Sequence, residues 1–389
     1  MTGKVLLAAI GVALVSRPVA ADPKPDYAAI AERVVGTSAN VKEGEIVWIS
    51  VGPQDLAFAD ELAAAVRKRG AFPIVTYSSE AMTKRVFATM PDKYDAQAPK
   101  GDLELTKIAA THINISSVRD PSIWLDGISP ERRRKIFAAG ASAQSLAVKR
   151  HVRLVELDNG LLPSATRAKE TGLSEAELTK QFWDGVGADY TAVSAQCKKL
   201  TDALAKGGEV HITHPNGTDV KMKLKPKKTA ASDGILTDAK VKAGGPGVQV
   251  WLPAGEVYFV PVISSVEGKV VDDRMAIFGK EILGHSFDLK AGKVANRATK
   301  SGWDAIKADY DAAGPGKDEF GMVDLGCNSA VKNTAKLETW MAAGTVSITT
   351  GNNEYAGGTN KEPLGMAHML SGATLTLDGK ALIENGALK

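Results

Sequence analysis

The stretch Glu45–Tyr77 reads EIVWISVGPQDLAFADELAAAVRKRGAFPIVTY. EIVWISV is a short run rich in β-branched and apolar residues, and therefore a strand. DLAFADELAAAVRKRG places apolar residues at helical spacing and closes on Gly70, a helix stop. AFPIVTY returns to strand texture. Strand, amphipathic helix and strand with glycine at the exit is the pattern of a parallel α/β sheet. Working outward, YAAIAERVV predicts a helix ahead of this unit, THINISSV and VRLVELD predict two further strands, and the charged segment PERRRKIFAAGASAQSLAVKRH predicts a helix between them. The first half is thus a doubly wound layer.

The segment from Ser174 to Gly208 reads as helix throughout and opens on a capping box, Ser174 with Glu177 three positions on. Beyond it the texture changes. EVHITHPNGTDVKMKLK predicts two alternating strands around an Asn216-Gly217 turn, and SFDLKAGKVA and TLTLDGKALI predict two more hairpins. KMKLKPKK, with lysines alternating with Met222 and Leu224, reads as a half-buried edge strand. The expected organisation is an α/β N-terminal domain with a parallel sheet over 22–205, including the helical connector, then a β-rich α+β C-terminal domain over 206–389.

With 389 residues, 44% of them hydrophobic and 24% charged, the chain has material for a large core, and its formal charge of +3 is far below the footprint of a nucleic-acid binder. Met1–Ala21 carries one lysine, an apolar run from Val5 to Val15 and small residues at its end, the plan of a signal peptide cleaved after Ala21. The expectation is a periplasmic or secreted protein with no stable membrane anchor after cleavage. Cys197 and Cys327 have the choice of pairing in an oxidising compartment or staying apart, and sequence does not decide between them. Neither a phosphate-binding glycine loop, a G-x-S-x-G elbow nor an H-E-x-x-H pair is present, which removes nucleotide-loop, serine-hydrolase and gluzincin chemistries.

One carboxylate, Glu256, stands in the apolar segment WLPAGEVYFVP, Trp251–Pro261. A buried carboxylate is costly unless paired or metal-bound. Downstream come DEFGMVDLGCN, then GTVSI, NNEYAGG and GMAHML. This order resembles the thermophilic aminopeptidase T family of dinuclear metallopeptidases. VVGTSANVKEGEIVWI and ITHPNGTDVKMKLK are similar to that family's opening and to its entry into the second domain.

The resemblance implies two divalent metals on two glutamates, two histidines and an aspartate, with a tyrosine nearby, in a homodimer. Its metal ligands map to Glu256, Glu319 and His368. Glu319 doubles as general base, and Tyr355 is the donor to the oxyanion. Two ligand positions are degenerate: Ser347 replaces a histidine and Leu370 an aspartate. A hydroxyl is a poor zinc ligand and leucine is none, so three donors remain, enough for one divalent ion (Zn, Mn, Co or Fe) or none. His112, His211, His214 and His285 match no ligand position. Three functions follow: metal-assisted removal of N-terminal residues from peptides, weakened or lost; a mononuclear-metal enzyme such as a ring-opening iron dioxygenase acting on a small molecule; or a non-catalytic peptide-binding protein.

Overall fold

The computed structural model describes residues 25–120, 128–244, 248–277, 280–334, 336–362 and 364–389. The expected signal segment 1–21 lies outside them. Strands β1 (Ile46–Val51), β2 (Phe72–Tyr77), β3 (Thr111–Asn114) and β4 (Arg153–Leu157) form a parallel layer. The helix Leu56–Lys68 packs on β1 and β2, burying Phe58, Ala59, Leu62, Ala65 and Val66 on one face, and the chain leaves it through Gly70 at φ +72°. Each element of the opening stretch forms where its periodicity places it.

The connector is two helices, Glu175–Val186 and Tyr190–Leu204, broken at Gly187. Ser174 and Glu177 close the capping box, and the Asp189 carboxylate caps the second helix. After it come β5 (Gly208–Thr213), β6 (Asp219–Leu224), β7 (Thr229–Ser232), β8 (Gln249–Leu252) and β9 (Glu256–Phe259). The long strands β10 (Glu267–Ile277) and β11 (Lys280–Lys290), with β12 (Lys293–Ala298), precede β13 (Phe320–Gly326), β14 (Val346–Thr350) and β15 (Met366–Leu370). The chain ends in β16 (Thr374–Leu377), β17 (Lys380–Glu384) and β18 (Ala387–Leu388).

Three sheets result: a first, parallel one of order β2-β1-β3-β4-β8, a second of order β12-β11-β10-β6-β5-β16-β17-β18, and a third of order β15-β14-β13-β9-β7. The second and third are antiparallel, as the hairpin signals required. Two details depart from the sequence reading. β8 returns to the first sheet and pairs in parallel with β4, so one strand crosses the boundary expected at 205/206. β6 keeps its alternating burial but its first half, Asp219 to Lys221, lies between β5 and the start of β10, so β6 is an edge only beyond Lys221.

Cys197 and Cys327 form a disulfide with Cα atoms 5.6 Å apart, tying the second connector helix to the end of β13 across 130 residues of sequence. By constraining the unfolded chain, such a long closure contributes about 2–5 kcal/mol.

Candidate functional site: the open face of the third sheet

The segment Leu252–Glu256 carries the chain from the last strand of the parallel sheet to β9 of the third sheet. Gly255 is essential to that step: its φ is +133°, and a Cβ there would lie 2.5 Å from the Cβ of Asn328. Ala254 O accepts from the Asn328 side chain at 2.6 Å, and Gly255 O accepts from Cys327 N at 2.8 Å. Glu256 is therefore delivered to a fixed place at the junction of the two layers. Its Oε1 accepts from Asn159 Nδ2 at 2.6 Å and from Trp340 Nε1 at 3.0 Å. Asn159 also donates to Pro253 O at 2.7 Å, so it holds both the turn and the carboxylate.

Register decides what else shares this face. Tyr258 on β9 stands opposite Asp324 on β13, Asp324 opposite Ser347 on β14, and Ser347 opposite Met369 on β15. Directly opposed residues in an antiparallel sheet point to the same side. Glu256, two residues before Tyr258, lies on that side too, diagonal to Asp324. The residues of the other row, Val257, Phe259, Val323, Leu325, Val346, Ile348, His368 and Leu370, are all buried. One face of the sheet is core. The other is half-open, with Ala367, Met369, Thr349 and Tyr258 only partly covered.

The electrostatics of the half-open face are those of acids without a counter-charge. Burial pushes the Glu256 carboxyl up to about 7, against the lowering effect of its two N–H donors. Burial, and then the charge of Glu256, raises Asp324 well above the ordinary carboxylate range. Tyr258 is pushed up to about 12, by burial first and by both acids after it. Asp324 is 4% exposed with Oδ1 unpartnered, and Ser347 is 1% exposed with Oγ unpartnered.

The five sequence-expected positions are not gathered at one point. Glu256 and Ser347 share the half-open face. His368 and Leu370 project from the opposite side, because they pair with Ile348 and Val346, the neighbours of Ser347 in the chain. There His368 Nδ1 meets Asp272 Oδ2 at 3.1 Å. Glu319 precedes β13, seven residues from Gly326, the partner of Glu256. At strand rise that is roughly 20 Å along the sheet, beyond the reach of two glutamate side chains. Glu319 instead pairs through its backbone with Lys293, as an isolated antiparallel bridge, and borders an open depression with Asn296, Arg297 and Asp318. Tyr355 falls in the turn Glu354–Ala356, and its side chain lies outside the described part of the structure.

Asn159, Asp324 and Trp340 were missed by the sequence reading. Asp324 carries the same signal as Glu256, one acid inside an apolar strand, FGMVDLG; Asn159 and Trp340 carry none, since both act across more than 80 residues of sequence.

A parallel α/β layer is joined through the half-buried Glu256 to an antiparallel sheet with one half-open face. The sequence model of the thermophilic metalloproteases (M29) matches residues 24–337, and the chain belongs to that family. The match includes Glu256 and ends before β14 and β15. Among solved structures, wild-type AmpT from Thermus thermophilus is similar with a TM-score of 0.69 at 19% identity, over 93% of this chain and 98% of that one. The 2,5-dihydroxypyridine dioxygenase from Pseudomonas putida KT2440 is similar with a TM-score of 0.56 at 15% identity, over 93% and 96%. At these identities the likeness is one of fold. No curated protein matches the sequence.

The aminopeptidases of this family use divalent metals. The donors on the half-open face are two carboxylates and a hydroxyl, with no imidazole beside them. Among the described residues no group of three or more His, Cys, Asp or Glu side chains is arranged to hold a metal ion. These residues do not fit a two-metal centre, whose paired ions need several shared oxygen and nitrogen donors.

Proposed function

We propose that this chain is an exported member of the M29 family that binds peptides on the Glu256 face of the third sheet and has lost the family's two-metal hydrolysis. The observation that carries this reading is the split of the expected ligands: Glu256 and Ser347 on one face, His368 and Leu370 on the other, and Glu319 roughly 20 Å away along the strand. The family's fold and a half-open, polar sheet face remain, which supports binding without the metal clamp. The same split speaks against the three-ligand site on which a mononuclear iron enzyme would depend.

The test is metal content of the purified chain by mass spectrometry, with an aminoacyl-arylamide assay and calorimetric titration with the tripeptide Leu-Gly-Gly. We expect less than one divalent ion per chain, no turnover, and peptide binding that survives exhaustive chelation. Two ions per chain with hydrolysis would overturn the reading.

Export and dimerisation are part of the same proposal. Export rests on the pattern of residues 1–21; among the described residues no helix is long and apolar enough to cross a membrane. N-terminal sequencing should find a mature chain beginning near Asp22. The homodimer rests on family resemblance, and light scattering should return about twice the monomer mass.

A further inference from the structure

An edge strand leaves a row of backbone donors and acceptors unpaired, and proteins blunt such edges with charges, bulges or short strands. Both edges of the second sheet are treated so: β12 carries Lys293 and Arg297 and an irregular register against β11, and β18 has two residues. β2, at one edge of the first sheet, is six residues long, and residues 71–79 hold no charged side chain. Phe72 N donates to Glu45 O at 2.8 Å and Ser78 N to Val51 O at 3.1 Å, so Phe72, Ile74, Thr76 and Ser78 turn their backbone groups towards β1. By alternation Pro73, Val75 and Tyr77 turn theirs outward. Proline has no N–H, which confines the complete outward donor and acceptor sets to Val75 and Tyr77. Among the described residues nothing bonds to those groups.

Apolar side chains extend the bare edge to either side. Phe72, Val75 and Tyr77, Leu56 on the helix packed on β2, and Met82 and Val86, four apart on the helix Glu80–Thr89, are each 44–54% exposed. That last helix buries no residue at all. Two outward residues spaced by two are self-complementary: with a two-fold axis at Thr76, Val75 of one copy faces Tyr77 of the other, and each facing pair exchanges both of its N–H···O bonds. No like charges meet, because this stretch has none. A lone extended peptide added to the edge satisfies the same groups but covers only the strand, whereas a second copy also brings its own apolar flanks against Leu56, Met82 and Val86. We propose that β2 pairs antiparallel with β2 of a second copy of this chain, joining the two first sheets edge to edge. This rests on the homodimer reading above and supplies its interface.

The experiment combines light scattering with amide hydrogen exchange, on the parent and on Val75→Lys. That substitution alters an exposed side chain and places two lysines in the joint, the device by which natural edges refuse a partner. At a concentration where the parent has twice the monomer mass, Val75→Lys should have the monomer mass. In the parent, the Val75 and Tyr77 amides should exchange about tenfold or more slowly in the dimer than after dilution to monomer, since pairing turns free N–H groups into bonded ones. Because the exchange comparison uses the unaltered chain, it does not depend on how the variant folds. A dimer in which these two amides exchange as fast as in the monomer, or a folded Val75→Lys chain that stays dimeric, overturns the edge pairing and leaves the dimer standing on another surface. A parent that is monomeric throughout overturns both. Protection of the same amides in a monomer on adding Leu-Gly-Gly overturns the second copy as occupant, because the edge then belongs to a peptide strand.

Discussion

The third sheet carries two polar clusters, one on each face, and they solve burial in opposite ways. On the closed face His368 finds Asp272 at 3.1 Å, and the neighbouring His285 lies among rings, Phe287 at 5.4 Å and Trp303 at 5.6 Å between centroids. Burial lowers His285 to about 3, so it stays neutral at ordinary pH. A neutral imidazole stacked on aromatics costs far less than an unpaired charge. On the half-open face two carboxylates lie together with no ion-pair partner among the described residues, and the charge of Glu256 adds to the cost of ionising the buried Asp324. Both faces leave buried polar atoms unpartnered, the His285 ring nitrogens and His368 Nε2 on the closed face and Asp324 Oδ1 and Ser347 Oγ on the half-open one, but the closed face holds neutral imidazole where the half-open face holds a pair of acids.

The largest effect expected from this contrast is at Leu370. If the closed face is core, Leu370→Asp buries an unpaired carboxylate and removes a packed leucine, at a cost of roughly 4 kcal/mol or more. Urea unfolding measures the loss, and metal analysis should show no gain in bound divalent ions. A variant that keeps its stability and takes up metal would reverse the assignment of the two faces.

The next effect is electrostatic. Burial lifts the folded-state pKa of Glu256 from the ordinary 4.5 to about 7. Between those values the folded chain retains a proton that the unfolded chain has released, so stability falls as pH rises through this window. Glu256→Gln keeps an acceptor for Asn159 and Trp340 but does not titrate. The variant should therefore lose less stability between pH 4.5 and 7, and above pH 7 should exceed the parent by about 3 kcal/mol. Parallel stability curves for parent and variant would mean that Glu256 is ionised at little cost and is better solvated than its surroundings imply.

The smallest effect sharpens the comparison most. Ser347 Oγ is buried and unpartnered, so Ser347→Ala should stabilise the ligand-free chain by about 1 kcal/mol. A thermal melt is sufficient. Destabilisation would reveal a partner for the hydroxyl and take Ser347 out of the binding cluster.

The sequence by itself determined most of the elements and one member of the site. Helix period, strand alternation, the Ser174–Glu177 box and the Asn216-Gly217 turn act over a few residues, so they survive any tertiary context compatible with them. Glu256 was legible for a related reason: an acid inside an apolar strand is conspicuous wherever that strand is placed. Period-two alternation also shows that Ser347 and Ile348 point to opposite sides, but not which side is core. That depends on register with β13 and β15, set by pairing between segments far apart in sequence and by the irregularity between Phe320 and Val323. The same dependence on distant partners hid the return of β8 to the first sheet, the Cys197–Cys327 bridge, and the grip of Asn159 and Trp340 on Glu256. The family resemblance placed His368 and Leu370 beside Glu256; only the folded sheet, where one residue of register exchanges the two faces, put them behind it.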